Sequence, residues 1–328
     1  MEKFNQMDKI KIAIVTGGLR EERVISLKSA EFIEKNLNPN KYQSRVILLD
    51  SDKWYDRDSG AEVDKNDFSI EVNGVRLNFD QVYLAIHGTP VEDGKIQGYF
   101  DLLGLPYSTC DTFTSALSFN KQATKNFLAA FGIPMAPSVL LKNGRMPEKA
   151  EMESLGFPVF VKPNQHGSSF GISRADNWNE LQDSCAHAYS FDREVVVEAY
   201  MEGREFSCGV VKKKGKTLAL PVTEIIPETE FFDYAAKYEH KSEEITPAEI
   251  SDSESASCRQ LAGNIYDLMN CRGMVRVDFI LNQGIFKMLE LNTVPGLSPE
   301  SIIPAQARAL GWSYTEFLDI VIEDTSKK

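Results

Sequence analysis

The first fifty residues constrain the fold more than any other stretch. A β-branched run, "KIKIAIVTGG", ends on two glycines, "EERVISLKSAEFIEKNL" follows with helical spacing, and "KYQSRVILLD" returns as a second apolar run. Strand, helix and strand in that order predict a βαβ unit. Parallel strands need such a crossover, whereas an antiparallel pair can be joined by a two-residue turn. "FDQVYLAIHG" reads as another buried strand and "GKIQGYFDLLG" as another helix, so the first third is α/β with a parallel sheet. One helix is predicted across "TSALSFNKQATKNFLAAFG", ended by Gly132 and Pro134. From "PSVLL" onwards the chain turns β-rich, through "GFPVFVKP", "REVVVEAYM", "REFSCGVVKK" and "TLALPVTEII", with one helix around "NWNELQDSCAHAYS". That half reads as α+β. Residues 227–250 are polar and read as a long loop without regular structure, a length that is usually functional or disordered. A helix ("SESASCRQLAGNIYDLMN"), a strand pair and a final helix close the chain. A length of 328 residues exceeds one core and predicts two or three domains.

Hydrophobic content of 42% and charged content of 26% fit a soluble globular protein. The net charge of −12 argues against a nucleic-acid partner. The strongest basic run, Lys212-Lys213-Lys214-Gly215-Lys216, lies between two apolar runs and reads as a hairpin tip. An acidic protein can still bind a nucleotide, because local lysines and metal ions set the field at the phosphates. Five cysteines without a C-x-x-C pair argue against a disulfide framework and for a reducing compartment. The start, "MEKFNQMDKIKIAIV", has an apolar stretch too short for a signal peptide or a membrane span. A cytoplasmic protein with no membrane partner is expected.

Two stretches carry chemistry. Residues 162–171, "KPNQHGSSFG", follow the apolar strand "GFPVFV". Small residues there leave hydroxyls and backbone N–H groups unobstructed, as in a hairpin tip or in a flap over phosphates. The second stretch is the hairpin "GMVRVDFIL-NQG-IFKMLELNTV". Alternation puts Val277, Phe279 and Leu281 on one face, joined by Leu289 and Leu291, and Arg276, Asp278, Glu290 and Asn292 on the other. A loop of Asn282-Gln283-Gly284 would set Arg276 opposite Glu290 and Asp278 diagonal to it. Two carboxylates and an amide suit a hard cation such as magnesium; a solvated face with a cross-strand salt bridge is the plainer alternative.

Taken together, five stretches resemble the D-alanine–D-alanine ligases of the ATP-grasp superfamily: "VTGGLREERVISLKSA", "IHGTPVEDGKIQGYFDLLGLPY", "VKPNQHGSSFGIS", "FFDYAAKY" and "RVDFIL…LELNTVPGLSPESIIP". The resemblance spans nearly all of residues 9–322. It implies an ATP-grasp fold with an N-terminal Rossmann-like substrate domain (9–120), a central subdomain with the phosphate flap (121–212) and a C-terminal subdomain with lid and metal site (213–325). It implies that two D-alanines are joined through an acyl phosphate for peptidoglycan precursors. ATP and Mg2+ are the implied cofactors, with two ions and Mn2+ as a possible substitute. Lys121 and Lys162 match the phosphate lysines, Ser168 and Ser169 the flap, Glu198, Tyr200 and Met201 the adenine hinge, and Glu205 the ribose acid. Asp278, Glu290 and Asn292 match the metal ligands, and Arg276 the arginine at the reacting carboxyl. Lys237 and Tyr238 fall on the lid. Glu22 matches the acid that holds the first substrate's ammonium, with Ser168 and Tyr238 as its partners. Ser301 matches the hydroxyl at the second substrate's carboxylate, and Gly296 a backbone donor near the tetrahedral oxygen. His87, which could also be a strand-end histidine satisfied by backbone, matches a residue near the first substrate, with Glu92 positioning it. His166, Val24 and Val91 depart from the common pattern, and none of them is a matched metal or phosphate ligand. The family is commonly dimeric, so a homodimer through the N-terminal region is expected. Ligases making D-alanyl-D-lactate or D-alanyl-D-serine would keep the same ATP residues. A non-catalytic nucleotide-binding protein would be expected to lose Asp278, Glu290, Asn292 or Arg276. A Rossmann dehydrogenase is disfavoured, because "TGGLREE" is not G-x-G-x-x-G.

Overall fold

A computed structural model describes residues 9–18, 22–50, 52–167, 170–227 and 242–326. The N-terminal part runs β1 (Ile10–Gly17), α1 (Arg23–Asn36), β2 (Tyr42–Leu49), β3 (Trp54–Asp56), β4 (Val63–Asp64), β5 (Ser69–Val72), β6 (Val75–Leu77), β7 (Gln81–Leu84), α2 (Lys95–Leu103) and α3 (Thr112–Phe119). Its sheet has the order β3-β2-β1-β7, with β1 parallel to both β2 and β7, as the βαβ reading requires. The last six residues of β1 are buried, which is why that strand reads as an unbroken apolar run rather than an alternation. Strands β4 to β6 form a small antiparallel sheet that the sequence reading missed.

The single helix predicted across residues 114–132 is two. Asn120 is extended, and its side chain accepts from the Ala123 backbone N–H, ending α3 and starting α4 (Lys121–Ala129). The central part continues with β8 (Ser138–Lys142), α5 (Lys149–Leu155), β9 (Val159–Pro163), β10 (Ser173–Ala175), α6 (Trp178–Tyr189) and β11 (Glu194–Ala199). These strands form an antiparallel sheet in the order β10-β9-β11-β8.

The C-terminal part holds β12 (Arg204–Lys213), β13 (Lys216–Ala219), β14 (Thr223–Pro227), β15 (Ser242–Ile245), α7 (Asp252–Leu268), β16 (Met274–Asn282), β17 (Ile285–Asn292), α8 (Ile302–Ala309) and α9 (Tyr314–Thr325). The sheet order is β15-β14-β12-β16-β17, with β13 paired to β12. The basic run is the tip of the β12–β13 hairpin, turning at Lys214 and Gly215. Within the expected long loop, residues 242–245 form β15 against β14, because their backbone completes the sheet edge.

The β16–β17 register differs from the expected one. The turn is Gln283-Gly284 alone, both with positive φ, the backbone of a two-residue hairpin. A bulge between Asp278 and Phe279 then resets the pairing, so Asp278 lies directly opposite Glu290, and Arg276 opposite Asn292. Arg276 is therefore not opposite Glu290. The bulge also moves Leu289 off the core face to line a cleft beside Glu290, while Met288 and Leu291 stay in the core. Helix α9 folds back onto the N-terminal part, packing Phe317, Leu318 and Val321 with Ile12, Phe32 and Ile33. Among the described residues no helix is long and apolar enough to cross a membrane.

Candidate active site

A cleft of about 1450 Å³ lies between α1 and the segment after β7 on one side and the central and C-terminal sheets on the other. Its floor is the polar face of β16 and β17. Arg276 Nε and Nη2 donate to Asp278, at 2.9 and 2.7 Å. Ser207 Oγ on β12 donates to the same carboxylate at 2.7 Å. Both members of the ion pair are buried. Burial alone would lower the Arg276 pKa, but Asp278 and Glu290 raise it further, so the guanidinium stays charged. Glu290 Oε1 lies 3.9 Å from Arg276 Nη2, and Asn292 Oδ1 accepts from the Val294 N–H at 3.0 Å. Asp278, Glu290 and Asn292 thus offer two carboxylates and an amide oxygen on one wall of the cleft, with no sulfur or imidazole among them. That donor set fits magnesium or manganese, which take oxygen ligands and share them with phosphates.

One end of the cleft is rich in lysine. Lys162 leaves the end of β9 and Lys121 opens α4. Lys121 Nζ donates to the His166 carbonyl at 2.6 Å, and burial lowers its pKa against the pull of Glu290. Lys162 Nζ donates to Glu198 Oε2 at 2.6 Å, and Lys125 Nζ pairs with Oε1. Burial opposes all three charges. The ion pairs outweigh it at Lys162, whose pKa is raised, and at Glu198, whose pKa is lowered, while Lys125 is pushed down. Tyr200, Met201 and Glu205 line the same end, just past β11 and on β12. Asn164 is fully buried and ties α4 to β9: its Oδ1 accepts from the Gln122 N–H at 2.9 Å, and its backbone O from the Lys121 N–H at 3.0 Å.

The other end is built by the N-terminal part. Glu22, at the start of α1, lies so close to Gly88 that a Cβ there would stand 2.0 Å from Glu22 Oε2. It also reaches the segment after β9: a Cβ on Gly167 would meet Glu22 Oε1 at 2.9 Å. His87 Nε2 shares a hydrogen bond with Ser29 Oγ at 3.1 Å, and Nδ1 lies 4.0 Å from Glu92 Oε1. Ser26 Oγ accepts from the His87 backbone N–H, and Ser29 Oγ accepts from the Leu297 N–H at 3.3 Å. The side chains of Ser29 and Glu92 thus stand at the two nitrogens of the His87 ring. Ser301 caps the start of α8, and its Oγ accepts from the Ser298 N–H at 3.0 Å. Gly296 sits beside it, 3.2 Å from Ser301 Oγ to a notional Cβ. Ser301 and Ile302 line the cleft at a helix N-terminus, where a carboxylate is favoured.

The model for the D-ala D-ala ligase N-terminus matches residues 11–110, and the model for the D-ala D-ala ligase C-terminus matches residues 127–323. The chain belongs to the D-alanine–D-alanine ligase family. The family is one of ligases with the ATP-grasp fold, the fold expected from the sequence. The chain is 44% identical over 316 residues to the D-alanine–D-alanine ligase of Flavobacterium johnsoniae, covering 95% of this chain and 98% of that one. It is 41% identical over 324 residues to the enzyme of the same name from Parabacteroides distasonis, covering 97% and 98%. Among solved structures it resembles D-alanyl-alanine synthetase A from Vibrio cholerae, with TM-score 0.87, 28% identity and coverage of 98% and 99%. It also resembles the VanG D-Ala:D-Ser ligase from Enterococcus faecalis, with TM-score 0.86, 31% identity and coverage of 96% and 99%. A Bacillus anthracis D-alanine–D-alanine ligase complexed with ATP matches with TM-score 0.79, 28% identity and coverage of 96% and 97%.

Of the residues matched to the ligase family by sequence, the cleft brings together Glu22, His87, Glu92, Lys121, Lys162, Glu198, Tyr200, Met201, Glu205, Arg276, Asp278, Glu290, Asn292, Gly296 and Ser301. Ser168, Ser169, Lys237 and Tyr238 lie outside the described residues. Lys125, Asn164, Ser26 and Ser29 were missed. Only Lys125 had a signal, one helical turn beyond Lys121 on the same helix face.

Proposed function

We propose that this protein joins two D-alanines into D-alanyl-D-alanine at the cost of one ATP, in the cytoplasm, as a step towards peptidoglycan precursors. The observation that carries this reading is a single cleft holding three different sets of groups: lysines at one end, acids with an arginine on the floor, and Glu22 with Ser301 at the other end. The carboxylate of the first D-alanine attacks the γ-phosphorus and ADP leaves. The amine of the second D-alanine then attacks the carbonyl carbon of the acyl phosphate, and phosphate leaves. Phosphoryl transfer asks little covalent chemistry of the protein, so positioning and charge dominate. Lys121 and Lys162 hold the triphosphate, and Glu198, Tyr200, Met201 and Glu205 hold the nucleoside. Asp278, Glu290 and Asn292 would hold two Mg2+, or Mn2+, whose charge offsets that of the phosphates. Arg276, kept charged by its neighbours, and the backbone at Gly296 stabilise the negative oxygen at the reacting carbon. Glu22 receives the first ammonium, with His87 and Glu92 beside it, and Ser301 at the start of α8 receives the second carboxylate. Ser168, Ser169, Lys237 and Tyr238 are assigned to the flap and lid on sequence alone.

The reading is tested by phosphate release from ATP with D-alanine, D-lactate and D-serine offered singly and in pairs. Turnover with D-alanine alone is expected; none with any combination rejects the reading. The likeness to a D-Ala:D-Ser ligase favours one second reading, a D-serine acceptor. Product analysis with both acceptors at equal concentration separates the two, and a mainly D-alanyl-D-serine product would replace the first with the second.

We further propose the three-part division of the chain, with its second boundary at residues 200–203. The expected boundary at 212/213 would cut β12, whose partners all belong to the C-terminal sheet. A homodimer through the N-terminal region is supported by the exposed Leu102 and Phe113 there. Sedimentation at monomer mass would reject it.

A further inference from the structure

Glu198 is 5% exposed and carries a lysine on each oxygen, Lys162 from β9 and Lys125 from α4. One buried carboxylate needs one counterion, so the second lysine calls for an explanation. Lys162 is the phosphate lysine in the function proposed above, and the present inference rests on that reading. A triphosphate drawing the Lys162 ammonium towards itself would turn it from Glu198 Oε2. With no other cation present, that turn would strand a buried carboxylate, among the costlier events in a protein interior. Lys125 removes the obstacle. Its Nζ sits on Oε1 while Lys162 occupies Oε2, so either can depart without taking the other's hydrogen bond. A small chamber of about 30 Å³, bounded by Lys121, Lys125, Lys162, Glu198 and Glu290, leaves space among the lysine heads.

We infer that Lys125 is a positioning residue, the counterion that stays with Glu198 when Lys162 turns to the nucleotide phosphates. It acts through Glu198 and Lys162 and does not itself touch the nucleotide. Nothing in the sequence pattern that identifies the phosphate lysines requires a cation at this position; the need arises from the burial of Glu198.

The test is Lys125→Met, which keeps the length of the side chain and removes its charge. With Lys162 held by a carboxylate that has no other partner, KM for ATP is expected to rise about tenfold, the scale of one charge-assisted hydrogen bond. KM for D-alanine should change less than about twofold, and Lys125→Arg should bring KM for ATP back to within about threefold of the unmodified enzyme. A purely structural role predicts lower stability with both KM values unchanged. An ATP KM within about twofold of the unmodified enzyme, or an equal rise in both KM values, overturns the inference. If Lys125→Met does not fold, a crystal structure of the unmodified enzyme with a non-hydrolysable ATP analogue decides. Lys162 on a phosphate oxygen with Lys125 on Glu198 supports the inference; Lys162 still on Glu198 overturns it. An unmodified enzyme that releases no phosphate from ATP would instead reject the proposed function, so the two failures are distinguishable.

Discussion

Replacing Asn164 with alanine tests how the lysine-rich end of the cleft is held. The side chain is fully buried just past β9. Its Oδ1 accepts from the Gln122 N–H at 2.9 Å, and its Nδ2 donates to Asn120 Oδ1 at 3.0 Å and to Glu194 Oε2 at 2.8 Å. Two neutral bonds contribute about 1 kcal/mol each and the bond to a carboxylate about 2 kcal/mol, so their loss destabilises by ~3–4 kcal/mol. Part of that falls on α4, because Asn120 also caps that helix. The first turn of α4 carries Lys121, so ATP binding should weaken along with stability. The assay is urea denaturation of the unmodified protein, Asn164→Ala and Asn164→Asp, paired with KM for ATP. The aspartate has the same shape but presents an acceptor where the amide donated, facing Asn120 Oδ1 and Glu194 Oε2. It should be at least as unstable as the alanine variant. A loss below about 1 kcal/mol in Asn164→Ala, or an aspartate variant as stable as the unmodified protein, would refute the reasoning.

The other predictions follow from the floor, the substrate end and the buried ion pairs. Glu290→Gln keeps shape but removes a charge from the metal face; turnover should fall by a factor of about 100 or more with circular dichroism unchanged, and near-normal activity at ordinary magnesium would reject the ligand assignment. Gly88→Ala places a methyl 2.0 Å from Glu22 Oε2 at φ +72°, so the carboxylate must move; KM for D-alanine should rise about tenfold while KM for ATP stays, and unchanged KM values would remove Glu22 from the substrate site. Burial pushes the Glu198 carboxyl up, yet Lys162 and Lys125 outweigh it and hold it below its ordinary 4.5. Its contribution is complete above that value and fades as pH falls through the lower folded pKa. The urea midpoint should therefore drop on acidification below 4.5, more steeply for the unmodified protein than for Glu198→Gln, and identical slopes would contradict the sign.

The parts of the fold that follow from local chemistry could be read in the sequence. Strand β1 and helix α1 are legible because apolar period and glycine placement agree, and the polar face of β16 and β17 is legible because Arg276 and Asp278 alternate with Val277 and Phe279, and Glu290 and Asn292 flank Leu291. The register between those strands is not. A two-residue and a three-residue turn are both consistent with Asn282-Gln283-Gly284, and a bulge at Asp278 leaves no mark on composition. The break at Asn120 is hidden because Ser118 to Lys121 keep helical spacing; only the capping bond to Ala123 distinguishes a cap from an interior asparagine. Lys125, Asn164 and Ser29 escaped for another reason. Each acts on a residue far away in sequence, Glu198, Gln122 and His87 respectively, and such pairings exist only once the sheets are assembled.

Helix α9 covers strands made some three hundred residues earlier, and that sets an order of events during synthesis. Phe317, Leu318 and Val321 complete a core begun by Ile12, Phe32 and Ile33. Gln81 fixes the closure by donating to the Ile322 carbonyl at 3.1 Å, and Lys41 does so by pairing with Asp319 at 2.8 Å. At ~5–20 residues per second, the side of α1 that does not pack on β1 and β2 waits on the order of 15–60 s for α9 to leave the ribosome. The core over the first-made sheet is thus completed only by the last-made helix. A chain ending before Tyr314 would carry every matched site residue and still lack Phe317, Leu318 and Val321 from that core, so a larger insoluble share than for the whole chain is the expected outcome.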